Sequence, residues 1–206
     1  MNPDLVAPDG YNLTLAALKH RVREARVQAQ RVVNTQLIEL YWHIGNEILS
    51  QQERRGWGSK VISQLASDLR AEFPEMTGLS RSNLHYMRAF AAAWRDEAVV
   101  QQAVGQLPWG HITTLLDKLE DNHTRSWYAA SAIEHGWSRN VLLNMIMNQS
   151  MERTGAAPSN FARQLSAPDS ELAQQVAKDP YAFEFLGLSG KVAERDLEEA
   201  LMALHY

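Results

Sequence analysis

An all-α multi-helix bundle with helix-turn-helix-like elements, followed by a linker and short tail helices, is the fold class the sequence predicts. Three observations carry it. Apolar residues recur at three- and four-residue spacing along most of the chain, which is the period of one helix face. Capping residues stand where those stripes begin and end, with Ser80 and Ser138 at starts and Gly136 at an end. Runs alternating apolar and polar with period two, the mark of a half-buried strand, are few.

The first stripe is the longest. Leu15, Leu18, Val22, Ala25 and Ala29 share one face, and Val33, Leu37, Leu40, Ile44 and Ile48 continue it. No proline interrupts residues 11–55. The spacing predicts one very long helix, or two with a break at Asn34-Thr35, both poor helix formers. So long a seam must be covered, either by the rest of the chain or by a second copy. Gly56-Trp57-Gly58-Ser59 ends it. Val61, Ile62, Leu65, Leu69 and Phe73 form the next stripe, which Pro74 stops. Ser80 then caps a helix carrying Leu84, Met87, Ala91 and Trp94.

A short helix is expected over 96–104, then a turn at 107–110 and a helix with Ile112, Leu115, Leu116 and Leu119. Asp121-Asn122 breaks the pattern. Trp127, Ala130 and Ile133 mark a helix that Gly136 closes, and Ser138 caps another with Leu142, Met145 and Ile146 inward. Three regions follow: a helical domain over 11–149, a linker with a short helix over 150–178, and a tail over 179–206. In the tail, Asp179-Pro180 reads as an N-cap with proline at the first helical position. Leu186-Gly187-Leu188-Ser189-Gly190 is a break. Val192–His205 reads as a last amphipathic helix with Leu197, Leu201 and Leu204.

Composition excludes several classes. The 206 residues are 45% apolar and 21% charged, which is ordinary for a globular chain and unlike a disordered one. The absence of cysteine excludes disulfides, thiolate zinc sites, iron–sulfur clusters and a thiol nucleophile. No apolar run approaches the ~18 residues of a spanning helix, and Met1-Asn2-Pro3-Asp4 is not a secretory leader. The expectation is a soluble, cytoplasmic protein without a membrane partner. Net charge is −4, but it is unevenly spread. Residues 1–95 hold 12 basic against 9 acidic side chains, and residues 96–206 hold 8 against 15. A basic half of this kind fits a nucleic-acid footprint, and it also fits chance.

Enzyme motifs fail one by one. Gly56-Trp57-Gly58-Ser59-Lys60 lacks the spacing and preceding strand of a phosphate loop. The seven histidines include no pair at i, i+3 or i+4, so no helical metal site is expected. No G-x-S-x-G elbow occurs. Glu194, Asp196, Glu198 and Glu199 read as a solvated helix face.

Two helix-turn-helix candidates survive. The better-shaped one is Thr124–Gln149, whose turn centres on Gly136-Trp137. Its second helix offers Ser138, Arg139, Asn140 and Asn144, and an asparagine can bond bidentately to adenine. The better-charged one spans 61–95. There Arg81, His85 and Arg88 share a face, with Ser82 and Asn83 in the first turn and Lys60 nearby for phosphate contact. Each has a plain alternative, an architectural corner for the first and a solvated basic face for the second.

These segments also carry a resemblance. Leu40-Tyr41-Trp42-His43-Ile44-Gly45, Gly56-Trp57-Gly58, Gly78-Leu79-Ser80-Arg81-Ser82-Asn83-Leu84, Leu107-Pro108-Trp109-Gly110-His111-Ile112, Gly136-Trp137-Ser138-Arg139 and Asp179-Pro180-Tyr181-Ala182-Phe183 occur in an order that resembles the YhcG-type family. The resemblance implies a helical DNA-binding domain followed by a PD-(D/E)xK nuclease domain, in which carboxylates hold Mg²⁺ and a lysine assists the attacking water. Glu198 aligns with an acidic residue on the first nuclease helix, while the Asp and Glu-x-Lys motifs would lie beyond Tyr206. The expected chain is therefore the DNA-binding part without the catalytic core. It would be no enzyme by itself and would need no cofactor, with Mg²⁺ entering only if the remaining domain were supplied. The alternative is a protein-interaction module that pairs with a second copy through 11–55 or the tail helix.

Overall fold

The computed structural model describes residues 8–102, 104–154 and 179–185, together with Leu172, Gln175 and Val176. Among them there is no strand, and the architecture is an all-α bundle. Its elements are α1 (Tyr11–Arg55), α2 (Ser59–Glu72), a 3-10 turn (Thr77–Leu79), α3 (Arg81–Ala93), α4 (Glu97–Gln102), a second 3-10 turn (Val104–Gln106), α5 (Trp109–Lys118), α6 (Asn122–Glu134), α7 (Arg139–Met147), α8 (Ser150–Thr154) and α9 (Pro180–Phe185). The last helix expected from sequence, Val192–His205, lies outside the described residues.

Helix α1 runs unbroken for 45 residues. Asn34, where a break was one reading, is buried and braces the helix to its neighbour. Its Nδ2 donates to the Gly105 carbonyl at 2.9 Å and the Leu107 carbonyl at 3.1 Å. These two bonds satisfy the amide nitrogen and offset part of the cost of burying it mid-helix, while Oδ1 is buried without a partner. Gly56 ends α1 in the left-handed conformation, φ 65°, with its N–H on the Gln52 carbonyl.

The C-terminal half of α1 is the spine of the core. Val33, Leu37, Ile38, Tyr41, Trp42 and Ile48 are buried against α3, α4 and the second 3-10 turn. Helix α3 crosses where Gly45 has no side chain, and a Cβ there would collide with the Met87 carbonyl. Trp109 fills the centre, edge-on to Tyr41 at 4.8 Å and to Phe90 at 5.8 Å. The N-terminal half of α1 stands apart. Leu13, Leu18 and Val22 are 79%, 55% and 50% exposed, so intrachain packing covers only the later part of the seam among the described residues.

The caps fall where the sequence placed them. The Ser80 and Ser138 hydroxyls accept from the backbone N–H groups of Asn83 and Val141, each at 3.4 Å. Asp121 acts as the N-cap of α6, its carboxylate accepting from Thr124 N–H at 2.7 Å. Helices α6 and α7 form a helix-turn-helix around Gly136, φ 62°, with Trp137 N–H bonded back to the Ala132 carbonyl at 2.9 Å.

Packing continues past residue 149. Met151 N–H donates to the Tyr128 hydroxyl at 3.3 Å, and that hydroxyl donates to the Met145 carbonyl at 3.2 Å. Helix α8 is thereby tied to α6 and α7. Helix α9, begun by Asp179 accepting from Tyr181 N–H at 3.0 Å, packs on α1 and the first 3-10 turn.

Candidate nucleic-acid interface

Helix α3 presents a basic face. Its buried side carries Leu84, Met87, Phe90 and Ala91. That fixes Arg81, His85 and Arg88 on the other side, one turn apart. Arg81 and Ser82 are exposed in the first turn, and His85 and Arg88 are half-buried. Burial, then the charges of Arg88 and Arg81, hold the His85 imidazole below its ordinary range, so it is neutral at pH 7. Among the described residues neither arginine makes an ion pair with a carboxylate.

Arg88 is oriented by α1. Its Nη1 donates to Gln52 Oε1 at 3.4 Å, and Gln52 Nε2 donates to the Trp57 carbonyl at 3.1 Å. The C-terminal end of α1 and the α1–α2 turn therefore adjoin Arg88. Arg54 and Arg55 in the last turn of α1 and Lys60 in the first turn of α2 are all exposed. Arg54, Arg55 and Gln52 did not stand out as site residues in the sequence. The signal available was the Arg-Arg-Gly at a helix end, where cations complement the helix dipole.

Asn83 sits elsewhere than a base contact would need. It is 8% exposed, its Nδ2 donates to the Gly78 carbonyl at 2.8 Å, and its Oδ1 accepts from Trp109 Nε1 at 3.0 Å. It joins the first 3-10 turn to the core tryptophan. Ser138 is 9% exposed and its hydroxyl is engaged as the α7 cap.

The start of α7 is partly covered. Leu172 N–H donates to the Gly136 carbonyl at 3.2 Å, and Gln175 Oε1 accepts from the Arg139 backbone N–H at 3.1 Å. The Arg139 side chain lies over α5, with Nε on Thr114 Oγ1 at 3.0 Å. Asn140 and Asn144 are exposed. The two candidate helices thus flank α5 as separate surfaces, one basic and open, the other polar and partly occupied by the chain itself.

The metal implied by the resemblance finds no fitting residues here. Among the described residues no group of three His, Cys, Asp or Glu side chains is placed to hold an ion. Glu198 lies outside them. No helix among the described residues is long and apolar enough to cross a membrane.

The chain is 28% identical over 228 residues to Putative nuclease YhcG of Escherichia coli (strain K12), an alignment that includes 94% of this chain and 60% of that protein. The chain therefore spans about 60% of the length of this relative. No solved structure matches. The family model described as the DUF1016 N-terminal domain matches residues 17–153, from the first turns of α1 through α8. This match covers more than half of the chain, which belongs to the DUF1016 N-terminal domain family.

Proposed function

We propose that the bundle is the DNA-binding part of a YhcG-type nuclease, with catalysis supplied by residues outside it. The supporting observation is the open cationic face of α3, where Arg81 and Arg88 flank a neutral His85 and, among the described residues, pair with no carboxylate. Phosphate attraction supplies most of the affinity of such a surface. Arg81, Ser82, His85, Arg88 and Lys60 are the proposed contacts on this face, with Arg54 and Arg55 extending it. Asn140 and Asn144 with the Arg139 guanidinium form a secondary contact. Asn83 and Ser138 support the fold behind these surfaces. The segment from Asp179 would lead into the catalytic domain after docking on α1. The name of the E. coli relative supports the nuclease context.

The test is fluorescence anisotropy of the purified chain with a mixed-sequence duplex at three salt concentrations. Steep salt dependence is expected. Arg81→Ala with Arg88→Ala should reduce the log–log slope by about one for each phosphate that is no longer neutralised. An unchanged slope would remove α3 as the contact surface. The exposed apolar residues of α1 favour a second reading, a protein-interaction module without DNA contact. Its signature is a mass in solution that rises with concentration, together with no DNA binding at low salt.

A further inference from the structure

We infer that the N-terminal half of α1 is a second contact for the DNA backbone, a basic arm that meets phosphates more than one duplex turn away from the α3 face. The inference rests on the DNA-binding reading of the bundle. Residues 11–31 hold 5 basic side chains and one acidic one. The rest of residues 1–95 holds 7 basic against 8 acidic, so the whole basic excess of this part of the chain sits on the arm. Lys19, Arg21, Arg23 and Arg26 are all exposed. Lys19, Arg23 and Arg26 stand at i, i+4 and i+7, which makes them one stripe along the helix. The one carboxylate, Glu24, is turned away from that stripe and engaged by His20 one turn earlier, at 3.1 Å.

Direction and reach agree with such a contact. Lys19 and Arg23 stand five helical turns before Leu37 and Tyr41, which are buried in the bundle, so each pair lies in line along α1. The stripe therefore faces the side of α1 on which the bundle packs. The arm needs no helix nucleus of its own, because each residue added to the packed half of α1 contributes a further hydrogen bond. Along α1, Arg23 stands about 44 Å from Gln52, which holds Arg88. A duplex rises about 34–36 Å per turn. One that is seated on α3 and runs along α1 meets the arm roughly 13 base pairs on. Two other occupants fit less well. A second copy paired along α1 would set the same cations against each other. An anionic membrane surface needs a broader apolar face than Leu15, Leu18 and Val22 followed by Ala25 and Ala29, with no Trp or Phe over 11–31.

Fluorescence anisotropy of the full chain on two duplexes, of about 10 and about 24 base pairs, separates the arm from α3. Lys19→Gln, Arg21→Gln and Arg23→Gln together should weaken binding to the longer duplex about tenfold or more at low salt. They should also lower the log–log salt slope by about two to three. Binding to the shorter duplex, which spans the α3 face alone, should change by less than about twofold. Lys19→Arg, Arg21→Lys and Arg23→Lys keep the charges and should keep the affinity, since phosphate attraction reads charge. Three results would overturn the inference. One is full affinity of the Gln variant for the longer duplex while Arg81→Ala with Arg88→Ala still weakens it, which leaves the α3 reading standing. Another is equal loss on both duplexes, and a third is equal loss in the charge-conserving variant. No binding of either duplex by the unaltered chain removes the arm and the DNA reading together. Arm-dependent binding to phosphatidylserine vesicles, or an arm-dependent dimer mass, would then assign the arm to a membrane or to a second copy.

Discussion

Gln52 and Arg88 meet across the junction of α1, α2 and α3. The Gln52 amide accepts from the Arg88 guanidinium at 3.4 Å and donates to the Trp57 carbonyl at 3.1 Å. One neutral amide thereby connects a surface cation to the turn that ends the longest helix. Arg88 keeps its full charge for an outside partner, because Gln52 orients the guanidinium without neutralising it. A guanidinium held in place loses less rotamer freedom on binding. Gln52→Ala should therefore weaken DNA binding about two- to fivefold while changing stability by no more than about 1 kcal/mol. Anisotropy and urea melts on the same preparation separate the two effects. Wild-type affinity in Gln52→Ala would show that this hydrogen bond does not serve binding.

The readable parts of this fold are those set by local chemistry. Ser80, Ser138 and Gly136 act within three to five residues of themselves, so their cap roles were legible. The α3 basic face was legible for the same reason, since Arg81, His85 and Arg88 are one turn apart. Asn83 was not, because its position in a first turn resembles that of a base-reading residue. The partner that draws it inward, Trp109, lies 26 positions away. Asn34 was ambiguous on the same ground, as its partners are 71 and 73 positions away. Asn34→Ala would remove the amide donor to the Leu107 carbonyl and leave the Gly105 carbonyl with the Thr35 hydroxyl at 3.3 Å, at a cost of about 1–3 kcal/mol. Asn34→Asp should be worse, since it removes the donor and buries a charge. Urea denaturation midpoints at constant m-value would measure both.

Gly45 sets how closely α1 and α3 approach. A Cβ built there meets the Met87 carbonyl oxygen and carbon, with the Arg88 nitrogen at 3.0 Å. The obstacle is backbone, so a small rotamer change cannot relieve it. Gly45→Ala should raise helix propensity by roughly 1 kcal/mol in an isolated peptide, yet destabilise the protein by about 1–3 kcal/mol or more through overpacking. The two signs make the test decisive. A stabilised Gly45→Ala protein would mean that the crossing is looser than the structure shows. Because Arg88 sits at this crossing, the same substitution should also weaken DNA binding in the fraction that folds.

His111 gives the bundle a pH dependence whose sign follows from its surroundings. The ring is fully buried on α5, with Nε2 2.9 Å from the Trp137 carbonyl in the helix-turn-helix turn and Nδ1 without a partner. The carbonyl can only accept, so Nε2 carries the proton and the ring is neutral. Burial pushes its pKa down to about 4; the Trp137 hydrogen bond opposes that shift and the Arg139 charge adds to it. The unfolded chain titrates near its ordinary value, about 6.5. Between those values the unfolded state binds the extra proton, so stability is full above about pH 6.5 and is lost as pH falls towards 4. The loss contributed by this one group is about 3 kcal/mol. His111→Gln can still offer a donor to the Trp137 carbonyl and cannot titrate. Urea melts at pH 7.5, 6 and 5 should therefore show a shallower decline in His111→Gln than in the unaltered protein. Parallel pH profiles would mean that the ring charges in place and that the α5 contact to the α6–α7 turn yields before the core does.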